Sequence, residues 1–194
     1  VKVGSIDQNS IKENEMKKFK AISLAVVIAA ALLLSMVMVA SAQTARTNLT
    51  SFEYDCLVDP GTMWMEGDIL HIRGRVHVNV TVSDTPEFNG INTTIADADI
   101  NVKTGYAEIR GTLSFQLDGI AGTWEGSWTW NGNKGVGYGR TVAHGIGALF
   151  GKSLFLKMYD APYDPQATAD MCDGIGEPDG NVYAEGYILD PAGP

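Results

Sequence analysis

The chain has 194 residues, of which 45% are hydrophobic and 19% charged, with a formal net charge of -9. From Gln43 onward it carries 9 Lys and Arg against 20 Asp and Glu. Such an acidic surface disfavours a nucleic-acid partner or an anionic membrane surface, both of which need basic patches.

Residues 1–15 show no apolar periodicity and precede Met16; they read as an upstream extension outside the native fold. Residues 16–42, MKKFKAISLAVVIAAALLLSMVMVASA, have the parts of a signal peptide. A basic start (Lys17, Lys18, Lys20) leads into an apolar helical core over residues 21–40, and Ala40-Ser41-Ala42 supplies the small residues of a cleavage site. A secreted or periplasmic protein beginning at Gln43 is the expectation. The alternative is a membrane anchor through residues 21–40, since about 20 apolar residues span a bilayer.

Residues 43–194 then amount to one domain with a sizeable core. Strands are expected near residues 51–58, 68–82, 88–100, 106–117, 123–130, 135–143, 152–159 and 181–189. Over Asp68–Val82 the even positions from Leu70 to Val82 are apolar apart from Gly74, and His71, Arg73, Arg75, His77 and Asn79 fall on the other parity. Alternation of this kind predicts a half-buried strand with its valines inward. The polar row is expected to pair with Glu108 or Glu125 on neighbouring strands. Turns are expected at Asp118-Gly119 and at Asn131-Gly132. From Asp160 to Gly180 the alternation lapses, predicting one long acidic loop.

Eight antiparallel strands with short turns predict an all-β, single β-barrel, the alternative being a β-sandwich. Glycines within strands favour the barrel. Cys56 and Cys172 both follow the cleavage site, where an oxidising compartment favours a disulfide between them over a thiol nucleophile.

Chemical motifs are sparse. His144 has no nucleophile or carboxylate motif beside it, and neither a Gly-x-Ser-x-Gly elbow nor a His-Glu-x-x-His pair occurs. The glycines at 145, 147 and 151 precede a strand-like run, which denies a phosphate the helix N-terminus it would need. Asp173–Gly180 departs from a calcium-binding loop, with Pro178 where glycine is required. No metal or cofactor is expected. Phe115, Trp124, Trp128 and Trp130 share apolar faces and are the candidate lining of a lumen, with Gly126, Gly137 and Gly139 expected to leave space beside them.

The strand GTWEGSWTW (122–130), the glycine-rich stretch GVGYGRTVAHGIGALFGKSLFLKMY (135–159) and the closing strand NVYAEGYILDP (181–191) together resemble the allene oxide cyclase and dirigent barrels. The likeness spans residues 52–194 and is one of pattern. It implies an eight-stranded barrel with an apolar interior, and transfers no catalytic residue. The functions it leaves are binding of a small apolar molecule in the lumen, a cyclase-like or dirigent-like enzyme steering a reactive intermediate, and a structural surface protein.

Overall fold

In the computed structural model, residues 44–85, 88–134 and 136–191 are described. The expected signal peptide and the upstream extension lie outside them. The described residues form nine strands, each antiparallel to the strands it pairs with, β1 and β2 running the same way along β3: β1 (Ala45–Asp59), β2 (Thr62–Glu66), β3 (Ile69–Ser83), β4 (Gly90–Asn101), β5 (Tyr106–Leu117), β6 (Gly122–Asn133), β7 (Val136–Gly147), β8 (Ser153–Asp160) and β9 (Glu177–Asp190). A short helix, α1 (Pro165–Cys172), precedes β9. The sheet runs from β3 through β4, β5, β6, β7, β8 and β9 to β1, and β1 pairs back onto β3, closing an eight-stranded antiparallel barrel. β2 is an additional strand, hydrogen-bonded to residues 69–73 of β3, whereas β1 takes residues 76–83 of the same strand.

One end of the barrel is packed. Phe88, Leu113, Phe115, Leu117, Trp124, Leu149 and Leu154 form a buried cluster there, with Trp124 entirely enclosed. The connections β3–β4 and β7–β8 contribute Phe88 and Leu149, so the loops themselves plug this end. Phe88 meets Phe115 edge to face with centroids 4.8 Å apart, the geometry that aromatic quadrupoles prefer.

The valines of β3 do not face this core. A bulge lies between Ile72 and Arg75, where Ile72 opposes Ala98 and Arg75 opposes Ala96, so β3 carries one residue more than β4. Gly74 occupies it with φ +68°, and its N–H donates to Asp97 Oδ1 at 3.0 Å. An odd insertion exchanges the two faces of everything beyond it. Ile72 points inward before the bulge; Asn79 and Thr81 are buried after it, while Val82 is 45% exposed. The expectation that one parity faces the core along the whole of residues 68–82 is therefore corrected at Gly74.

Three local expectations also change or hold in detail. Asn131 and Gly132 belong to β6, which continues to Asn133; Asn133 pairs with Val136, and Lys134 after it takes φ 53°. The stretch 160–180 is not one loop but contains α1 and the start of β9. Asp164 caps the helix, its carboxylate accepting from the N–H groups of Gln166 and Ala167, and Pro165 follows at the first helical position. At Asp118-Gly119 the turn lies as expected, with Gly119 at φ +72°.

A disulfide joins Cys56 of β1 to Cys172 at the end of α1, and both cysteines are buried. Thr168 adds a hydrogen bond from its hydroxyl to Asn181 Oδ1 at 2.8 Å, so the helix is held against β1 and β9. The bridge spans 116 positions, a separation for which chain-entropy arguments give roughly 4–5 kcal/mol of stabilisation. Replacing both cysteines by serine is expected to lower unfolding stability by about 2–5 kcal/mol, read from the urea midpoint; an unchanged midpoint would show that the bridge constrains nothing in the unfolded chain.

Candidate functional site

Beyond the packed end, the lumen opens into a cavity of about 260 Å³. Its two sides differ chemically. β4, β5, β6 and β8 contribute an apolar wall that includes Ala98, Ile109, Leu113, Trp128, Trp130 and Leu156. The opposing wall is polar and comes from Glu53 and Asp55 of β1, Arg75, His77 and Asn79 of β3, Asn92 and Thr94 of β4, and Asp179 of β9.

Of the four candidates read from the sequence, Phe115, Trp128 and Trp130 line the cavity. Trp124 does not: it is wholly buried in the packed end. Neither do the strand glycines leave the space expected of them. A Cβ at Gly137 or Gly139 would collide with the Trp130 ring, and one at Gly126 would collide with Ala143. Trp128 lies equally close over Gly111. These glycines admit close packing of the indoles, and the open volume lies farther into the lumen.

The polar wall escapes a reading by alternation alone, because the bulge turns it inward. Asn79 opposes Asp55 on β1 and Asn92 on β4, while Thr81 opposes Glu53, so residues from three strands meet in adjacent layers. Asn79 Nδ2 donates to Glu53 Oε2 at 3.0 Å. Nδ1 of His77 lies 2.6 Å from Asp55 Oδ1, and Arg75 Nη2 donates to Asp179 Oδ2 at 2.9 Å. The expected partners of the polar row, Glu108 and Glu125, are thus replaced. Arg75 and His77 pair inside the barrel, whereas His71 and Arg73, which precede the bulge, pair outside it with Asp99 at 2.6 and 2.7 Å. There Trp64 of β2 stacks on His71, and the Arg73 and His71 hydrogen bonds hold the Asp99 carboxyl below its ordinary range. His144 projects from the exposed face of β7.

Asp55, His77 and Asp179 bring three ligand-type atoms within 4.8 Å of one another. Within this cluster Arg75 pairs with Asp179 and the His77 ring lies against Asp55.

Glu53 is the exceptional group. It is 4% exposed, and burial pushes its carboxyl above the ordinary range; the nearby Asp55 charge adds to this, and hydrogen bonds from Asn79 and Asn92 oppose it. With its folded pKa raised, Glu53 keeps its full contribution to stability below the unfolded pKa and loses it as pH climbs toward the folded value. Relative to Glu53→Gln, the wild type is expected to lose about 1.4 kcal/mol for each pH unit between those two values. Parallel denaturation curves from pH 4 to 8 test this; a stability difference that stays constant with pH would contradict a buried, reluctant carboxyl.

Compared with family models, curated proteins and solved structures, the chain matches none.

Proposed function

We propose that this barrel is an extracytoplasmic small-molecule-binding protein whose lumen takes one ligand with an apolar body. The observation that carries the reading is the cavity of about 260 Å³ with an apolar wall that includes Ile109, Leu113, Trp128 and Trp130. An apolar cavity of ~150 Å³ is enough to accommodate benzene, so this one suits a ring with a short side chain. Eight-stranded barrels are of the size that holds one small ligand. The buried Cys56–Cys172 disulfide supports action in an oxidising compartment, as does the cleavable signal sequence read at residues 16–42. Among the described residues no helix is long and apolar enough to cross a membrane.

A second reading, an enzyme of the cyclase or dirigent kind, is favoured by Glu53. A buried carboxyl whose proton is held above its ordinary pKa beside an apolar cavity is suited to donate or withdraw a proton from an enclosed intermediate. Under that reading Glu53→Gln retains ligand and loses turnover.

Titration of the purified full chain with 2-phenylethanol is expected to change tryptophan emission saturably, because Trp128 and Trp130 border the cavity. Leu113→Trp, which fills the lumen, should abolish the change while leaving the barrel folded by circular dichroism. An emission unaffected by the ligand in the wild type would leave a structural role as the better account.

A further inference from the structure

We infer that the ligand carries a protonated primary amine, seated against Glu53, Asn79 and Asn92 at the polar wall of the lumen. The inference rests on the reading of that lumen as a binding cavity and specifies the polar end of its ligand.

Besides the exposed Asp160, which accepts from the Gly137 N–H, three carboxylates line the cavity. Asp179 is matched by Arg75 at 2.9 Å, and Asp55 by the His77 ring at 2.6 Å. Glu53 has only amide partners, Asn79 and Asn92, and is the most deeply buried of the three. Each of those asparagines is 8% exposed, and in each Oδ1 is buried without a hydrogen-bond partner. Buried acceptors without donors are costly. Both amides line the cavity, so a ligand there can reach them.

At the Glu53 seat the ligand must therefore supply several donors and bring positive charge to a carboxylate that has no cation, while Arg75 Nε and Trp128 Nε1, buried donors without a hydrogen-bond partner, belong to other residues lining the same cavity. An ammonium group meets these terms: it has three N–H donors and nothing to leave unsatisfied. Its three acceptors would be the Glu53 carboxylate and the Oδ1 atoms of Asn79 and Asn92. A hydroxyl offers one donor and would leave one amide oxygen orphaned. A carboxylate or phosphate head would place negative charge against Glu53, Asp55 and Asp179. The burial that penalises the Glu53 anion is offset once a cation lies beside it. The acidic surface, with 20 Asp and Glu against 9 Lys and Arg from Gln43 onward, draws cations toward the barrel in the same sense.

Three probes of similar size separate the possibilities on the full chain at pH 7 by calorimetry: 2-phenylethylamine, 2-phenylethanol and 3-phenylpropanoate. The amine is expected to bind at least about tenfold tighter than the alcohol, as a charge-assisted contact exceeds a neutral one, and the propanoate to show no saturable binding. Glu53→Gln should reduce the amine to the affinity of the alcohol. If amine and alcohol bind equally, or the propanoate binds best, the ammonium seat is overturned while the lumen remains a binding cavity. An amine preference that survives Glu53→Gln overturns the seat as well. Failure of all three probes to bind overturns the seat together with the reading of the lumen on which it rests. The comparison among probes uses the wild type alone, so it stands even if the variant does not fold.

Discussion

The chemistry of the lumen depends on one extra residue in β3. A strand shows alternate side chains to opposite faces, so a single inserted residue exchanges inside and outside for the whole segment beyond it. At Gly74, where φ is +68° and any L side chain would be strained, β3 makes that exchange. Upstream, Ile72 points to the core, and His71 and Arg73 serve an outer ion pair with Asp99. Downstream, Arg75, His77, Asn79 and Thr81 enter the barrel, and Val82 faces out. Without the bulge the lumen would be lined with valine on this side, and Glu53 would lose its amide partner on β3.

The same exchange gives the lumen one polar wall, facing an apolar one. The packed end of the barrel is filled by aromatic and aliphatic side chains from the strands and by Phe88 and Leu149 from the connections. On the polar wall, like charges would accumulate if they were not matched across strands. Asp55 from β1 and Asp179 from β9 are each met by a group from β3. Asp179 reaches that position because β9 carries its own irregularity opposite Asp55 and Cys56. The segment leading into it is pinned by the disulfide and by the Thr168–Asn181 hydrogen bond. The helix and bridge thus do more than lengthen the fold: they hold the acid that completes the polar wall.

Much of this is legible in the sequence. Eight runs of period-two alternation suffice for a barrel, the two cysteines for their bridge, and Phe115, Trp128 and Trp130 for the apolar wall. What escapes has specific causes. DILHIRGRVHVNVTV keeps its alternation of apolar and polar residues unbroken through Gly74, so periodicity cannot register that the backbone there has slipped by one; the glycine is the visible signal, and it has to be read as a bulge. α1 spans eight residues, too short for helical periodicity, although Asp164-Pro165 is a sound helix start. β2, TMWME, is exposed throughout and so shows no core-facing alternation. Alternation puts Trp124 on the correct face, and its displacement from the cavity is a matter of depth along the barrel, which alternation does not encode.

Reversal of faces beyond Gly74 is tested most directly by thiol accessibility. In otherwise unaltered protein, with Cys56 and Cys172 joined, Thr81→Cys and Val82→Cys place a single free thiol at neighbouring positions that are 2% and 45% exposed. Maleimide is expected to label the Val82→Cys protein rapidly in the native state and the Thr81→Cys protein only on unfolding. Rapid labelling at position 81 with protection at position 82 would put the valines inside and the polar row outside, and would contradict a lumen with a polar wall.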